Sequence, residues 1–178
     1  MAEQERARLG RAIAARIAGL ESFRTAGTVL AYLNFGAEFA AEGLVQQALQ
    51  HGKQVLLPKV NRATNELDVY RVADLQHDVA PGLWDIREPL AERCARVGAL
   101  DAVDFILLPG VAFGRDGARL GYGGGFYDKL LARLKHDPVL VAGAYAMQIV
   151  EGIPQEATDR KVEWLVTENE TIHCAAAG

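Results

Sequence analysis

Five short apolar runs constrain this chain most: TVLAYL at 28–33, QVLL at 54–57, FILL at 105–108, VLVAGAY at 139–145 and WLVT at 164–167. Each is shorter than the ~10–12 residues expected of a buried helix, and each is rich in strand-forming residues. Unbroken apolar character, without alternation, marks strands covered on both faces. Helical patterns lie between them. Gln4–Leu20 places Leu9, Ile13, Ile17 and Leu20 on one face with arginines opposite, and Ala40–Leu49 does the same with Leu44, Val45, Ala48 and Leu49 ahead of His51-Gly52. Phe126–Leu134 turns Leu130, Leu131 and Leu134 inward. Strands alternating with helices predict an α/β fold: one domain over residues 1–178, a three-layer α/β/α stack around a mostly parallel sheet. Pro58 is expected to stop the second strand and Pro109-Gly110 the third. LDVYRV at 67–72 alternates like a half-exposed strand, and 74–89 reads as irregular.

Composition removes several classes of function. The 178 residues carry 19 basic and 23 acidic side chains, a net charge of −4, with no basic stripe to neutralise phosphates along a duplex. Nucleic acid is therefore not an expected partner. No run approaches the ~18 apolar residues of a membrane span, and the first 20 residues lack the apolar stretch of a secretory signal. Cys94 and Cys174 form no CxxC, which fits reduced thiols and a cytoplasmic protein. Ser22 is the only serine and sits in no GxSxG elbow, so serine-hydrolase chemistry is excluded. The four histidines show no metal-ligand spacing, and no GxxxxGK[ST] loop is present.

Chemistry concentrates in PGVAFGRDGARLGYGGGFYD, residues 109–128, after the FILL strand and before a helix. Ligands of open α/β sheets sit beyond the carboxyl ends of strands, where this segment starts. Gly121, Gly123, Gly124 and Gly125 let backbone N–H groups approach a phosphate unobstructed, and Arg119 adds a two-pronged cation, expected to be exposed. Asp128, in the first helical turn, can hold a Mg²⁺ that bridges phosphates, or merely complement the helix dipole. A plain turn needs one or two glycines; four in five positions cost chain entropy and point to a ligand. The third glycine of GxGxxG is missing, which disfavours a dinucleotide-binding dehydrogenase.

RLGYGGGFYD at 119–128 resembles the signature of the 5-formyltetrahydrofolate cyclo-ligases, and three further segments are similar to the family in its own order. These are YLNFGAEF at 32–39, GKQVLLPKV at 52–60 and TDRKVEWLVTE at 158–168. The resemblance implies an enzyme that uses ATP and Mg²⁺ to convert 5-formyltetrahydrofolate into 5,10-methenyltetrahydrofolate, ADP and phosphate. Its partners would be these small molecules, acting on a monomer. A formamide oxygen leaves poorly, and the resemblance implies the family's route around this: the γ-phosphoryl goes first to the formyl oxygen, N10 then attacks and phosphate departs. That chemistry asks for positioning and charge neutralisation and for no protein nucleophile.

The resemblance assigns ATP to Arg119, Leu120, Gly121, Tyr122, Gly123, Gly124, Gly125, Phe126 and Tyr127, with Arg119 and Tyr127 catalytic. It assigns the folate to Leu33, Glu38 and the Tyr122–Phe126 stretch, and the metal to Asp128 and Asp159. A carboxylate at Glu38 can accept the pterin N–H and NH₂ in a fork. Read alone, Glu38 is equally an acid leading the next helix, and Asp159 an ordinary loop aspartate. Trp84 can stack on the pterin or fill a core or lid, whereas Phe35, Phe113 and Tyr145 read as packing residues. The family's basic Lys-x-x-x-Arg segment ahead of the first helix is expected to be absent, since no lysine precedes Lys53. Arg6, Arg8 or Arg11 would then have to compensate, and ATP affinity is expected to suffer. A non-catalytic folate-binding protein is the alternative, and a sugar-phosphate isomerase a remote third.

Overall fold

A computed structural model describes residues 1–174. Its elements in chain order are α1 (Glu3–Ala18), α2 (Glu21–Thr25), β1 (Thr28–Leu30), α3 (Glu42–Gln50), β2 (Gln54–Asn61), β3 (Glu66–Val72), β4 (Val79–Pro81), β5 (Arg87–Pro89) and β6 (Ala95–Val97). They continue with β7 (Phe105–Leu107), β8 (Ala112–Phe113), β9 (Arg119–Leu120), α4 (Phe126–Ala132), β10 (Val139–Gly143), β11 (Trp164–Val166) and β12 (Thr171–His173). Eight strands form the main sheet in the order β12-β11-β10-β7-β1-β2-β3-β6. The five expected apolar runs supply its parallel centre, β11-β10-β7-β1-β2. Antiparallel neighbours close it on both sides: β3 and β6 on one, β12 on the other.

Side chains alternate across this sheet with period two. Val29, Phe105, Leu107 and Val141 join Ile13, Ile17, Phe23, Leu44 and Val45 under α1–α3. Leu30, Ile106, Leu108, Leu140 and Ala142 join Leu130 and Leu131 under α4. Helices thus cover both faces, the α/β arrangement expected from the strand–helix alternation.

Pro58 does not stop β2, which runs on to Asn61 and pairs Pro58 with Val69 of β3. The Leu56 carbonyl faces β1, where it accepts the Ala31 N–H at 3.0 Å. Alternation therefore turns the Pro58 nitrogen to that same side, where β1 has already ended and no N–H is needed. The 74–89 stretch is not irregular: β4 and β5 pair there as a small hairpin, and β8 and β9 pair inside the 109–128 segment. The edge strands β6 and β12 carry too few apolar residues to stand out in the sequence.

Candidate functional site

Between β1 and β7 the order of the parallel strands reverses, since β2 follows β1 to one side while β7, β10 and β11 follow to the other. The chain segments leaving β1 and β7 therefore part at their carboxyl ends and open a crevice there. A cavity of about 770 Å³ occupies it. Four further segments complete the wall: the end of β2, the tip of the β4–β5 hairpin, the glycine loop up to Asp128, and residues 154–159.

Beyond β1, Tyr32 and Leu33 stay buried, and a turn brings Glu38 back toward the sheet. Its Oε2 accepts the Phe35 N–H at 2.8 Å while its own N–H donates to the Phe35 carbonyl at 3.2 Å. Only 5% of Glu38 is exposed. Burial pushes its carboxyl up to about 7, against the opposing pull of the Phe35 N–H and the Arg119 charge. Among the described residues no basic side chain is bonded to it, which makes it a buried acid facing a cavity. Such a group is retained at a cost, and a ligand that donates to it is the usual reason. The Tyr127 phenol also lines the cavity, and burial raises it far above its ordinary range, so it stays protonated and can only donate or orient.

On the other side, β9 carries Arg119 inward. Its side chain is 8% exposed, not the exposed cation the sequence led us to expect. Nη1 donates to the Pro109 carbonyl at 3.1 Å and Nη2 to Asp128 Oδ1 at 3.2 Å. These bonds hold the guanidinium in place, because β9 is locked antiparallel to β8 directly after the proline. Its Nε is buried with no partner among the described residues. An orphaned charged donor beside a cavity fits a phosphate oxygen. Between Arg119 and α4, Gly123 and Gly125 adopt φ of +89° and +66°, and a Cβ at either would meet nothing within 4 Å. Left-handed backbone with open space beside it leaves room for an anion to approach the loop's N–H groups.

The Tyr122 ring meets Phe35 edge-to-face at 5.6 Å, which joins the glycine loop to the Glu38 turn across the cleft mouth. Phe113 and Tyr145 are buried packing residues, as expected, whereas Phe35 stands at the rim, 39% exposed. Asp159 lies at the far wall, where its Oδ2 accepts the Glu156 N–H at 2.8 Å. Asp128 and Asp159 present hard oxygens to one cavity, and no cluster of three His, Cys, Asp or Glu occurs among the described residues. Two carboxylates with room for phosphate oxygens and water suit Mg²⁺, which keeps most of its shell from such ligands.

Every residue that the resemblance, with Trp84, puts at the ATP, folate or metal site lines this one cavity: Leu33, Glu38, Trp84, Arg119, Leu120, Gly121, Tyr122, Gly123, Gly124, Gly125, Phe126, Tyr127, Asp128 and Asp159. Arg6, Arg8 and Arg11 do not line it; Arg8 instead pairs with Glu5 at 2.6 Å in solvent. Sequence reasoning passed over Tyr32, Arg87 and Glu88, which lie in the wall as well. The spacing of Arg87 and Glu88 three and four residues beyond Trp84 was their only signal.

A crevice at the strand-order reversal, with a glycine loop on one lip and a buried acid on the other, is the site geometry of an α/β enzyme that acts on small molecules. The family model for the 5-formyltetrahydrofolate cyclo-ligase family matches residues 1–168, and the chain belongs to that family. It is 30% identical over 165 residues to the 5-formyltetrahydrofolate cyclo-ligase of Escherichia coli, covering 92% of this chain and 90% of the relative. The mouse 5-formyltetrahydrofolate cyclo-ligase is 27% identical over 177 residues, covering 95% of this chain and 87% of that one. Among solved structures, the Aquifex aeolicus 5,10-methenyltetrahydrofolate synthetase aligns with a TM-score of 0.84 at 35% identity, over 100% of this chain and 87% of that one. The Mycoplasma pneumoniae synthetase, at 18% identity and a TM-score of 0.73, shares the fold over 94% of this chain and 90% of its own.

Proposed function

We propose that this protein closes 5-formyltetrahydrofolate to 5,10-methenyltetrahydrofolate at the expense of ATP, releasing ADP and phosphate. The observation that carries this reading is the facing pair in the crevice: the buried, unpaired acid Glu38 on one lip, and Arg119 with its orphaned Nε beside the glycine cradle on the other. Glu38 accepts the two adjacent N–H groups of the pterin and fixes the ring, with Leu33 beneath it and Trp84 at the mouth. Arg119 and the N–H groups of Gly121–Gly125 hold the phosphates of ATP, so the γ-phosphoryl lies over the formyl oxygen. Asp128 and Asp159 would hold Mg²⁺, which when bound offsets phosphate charge.

The cleft wall contains no serine, cysteine or histidine, in keeping with a transfer that passes directly between substrates. Positioning then carries the rate. Tyr127, neutral throughout the physiological range, orients a substrate oxygen and takes no proton. The two cysteines are free and buried, which suits the cytoplasm. No helix among the described residues is long and apolar enough to cross a membrane. The test mixes the purified protein with 5-formyltetrahydrofolate, ATP and Mg²⁺ and follows the near-ultraviolet band of the methenyl product together with phosphate release. Loss of both signals when any one reactant is omitted is the expected result. Folate binding without phosphate release would assign the chain to a non-catalytic carrier.

A further inference from the structure

The β4–β5 hairpin meets the crevice at its tip, Leu83–Ile86, and there the backbone is strained. The Ile86 N–H donates to the Leu83 carbonyl at 3.1 Å, and the two central residues, Trp84 and Asp85, have φ of +55° and +60°. Two left-handed residues in a hydrogen-bonded four-residue turn are the geometry that Asn-Gly usually fills. Trp and Asp occupy it at a conformational cost, so the surroundings must impose it. The strands below the tip are anchored: Arg87 bonds Glu42 at 2.7 Å and the Leu75 carbonyl at 2.5 Å, and Lys59 bonds the Pro89 carbonyl at 3.1 Å. None of these reaches the turn.

One side chain does. Glu88 folds back along the hairpin, and its Oε1 accepts the Leu83 N–H at 3.0 Å. It lies flat over Gly82, where a Cβ would stand 1.6 Å from that same oxygen, so only glycine leaves room for it. The turn it braces carries Trp84, 61% exposed, on the wall of the crevice.

We propose that Glu88 is a positioning residue for the folate: it holds the strained turn so that the Trp84 indole stands over the crevice mouth, against the planar ring of the substrate. This rests on the folate reading above. Glu88 acts through Trp84 and not through its charge, because what it supplies is an acceptor for the Leu83 N–H. Glu88→Gln keeps that acceptor and Glu88→Ala removes it.

The test has one arm without ligand and one with. The chain has two tryptophans, so 5-fluorotryptophan labelling gives two ¹⁹F resonances, with Trp84 identified by Trp84→Phe. In Glu88→Ala the Trp84 resonance is expected to shift and broaden while Trp164 stays in place; Glu88→Gln is expected to match the parent. In turnover, Glu88→Ala should raise KM for 5-formyltetrahydrofolate about tenfold, the loss of one aromatic stack, with kcat and the KM for ATP unchanged. Glu88→Gln should restore it, and Glu88→Ala should add nothing in a Trp84→Ala background. An unmoved Trp84 resonance, a shift of both resonances, full additivity with Trp84→Ala, or a Glu88→Gln as impaired as Glu88→Ala would each overturn the proposal. A normal folate KM in Trp84→Ala overturns its substrate half. A parent protein without turnover strikes instead at the proposed activity, and the ligand-free spectra still decide whether Glu88 holds the tip.

Discussion

Arg119 and Asp128 stand at the two ends of the glycine stretch and are joined by one ion pair, Nη2 to Oδ1 at 3.2 Å. The bond clamps Gly121–Gly125 into a closed loop, and so limits the freedom that four glycines would otherwise give the backbone. It also makes Asp128 a shared resource. The carboxylate braces the guanidinium here and, in the proposed reaction, would also be a ligand for Mg²⁺, while Arg119 meets the phosphates.

Arg119→Ala is therefore expected to damage both turnover and stability. Removing a charged donor from the phosphates costs about 1.5–3 kcal/mol, or roughly ten- to a hundredfold in turnover. Because the side chain is buried against Pro109, its removal also strands that residue's buried carbonyl, and an additional loss of about 1–3 kcal/mol in folding stability is expected. Thermal unfolding and steady-state kinetics on the same preparation check both. An unchanged melting temperature would contradict the bracing role.

Asp128→Asn and Asp159→Asn are each expected to raise the Mg²⁺ concentration needed for half-maximal activity. Both residues face one cavity and would serve one ion, so the double variant should be scarcely worse than either single one. Mg²⁺ titrations of the three variants measure this. Independent, additive shifts would rule out a shared ion.

What the sequence made legible was whatever declares itself locally. The unbroken apolar runs of β7 and β10 have no other use than a sheet covered on both faces, and four glycines in five positions at 121–125 demand a backbone that approaches a ligand. What stayed hidden depends on neighbours distant in sequence. Whether Pro58 ends a strand is decided by where β1 stops, and the burial of Arg119 by a carbonyl ten residues earlier and a carboxylate nine residues later. Glu88 drew no notice in a stretch read as irregular, because its role lies in a turn whose strain no composition betrays.

Glu38 makes folding pH-dependent in a direction opposite to an ordinary ion-paired acid. In the folded chain it keeps its proton up to about 7, whereas its ordinary value is 4.5. Below pH 4.5 both states hold the proton and nothing is lost; between 4.5 and 7 the folded state binds more protons, so stability falls as pH rises; above 7 the loss is constant. That plateau amounts to about 3 kcal/mol. Glu38→Gln should accordingly leave stability unchanged at about pH 4 and raise it by up to about 3 kcal/mol at pH 8, while weakening substrate binding. Denaturant unfolding at the two pH values reads this directly, and equal effects at both would remove the burial argument.

The same group sets the pH dependence of substrate binding. A carboxylate accepts from both pterin donors, while the protonated acid can accept from one and must place its own proton elsewhere. Binding of 5-formyltetrahydrofolate without ATP should therefore strengthen as pH rises through about 7 and level off above it. Between pH 8 and pH 6 the expected loss is about tenfold in Kd, with close to one proton released per substrate bound at pH 6. Calorimetric titration in two buffers of different ionisation enthalpy measures both quantities. Glu38→Gln should bind weakly at either pH and release no proton. A Kd that is flat from pH 6 to 8 in the parent protein would mean that the neutral acid is the form that meets the pterin, and that Glu38 holds its ring by one hydrogen bond instead of two.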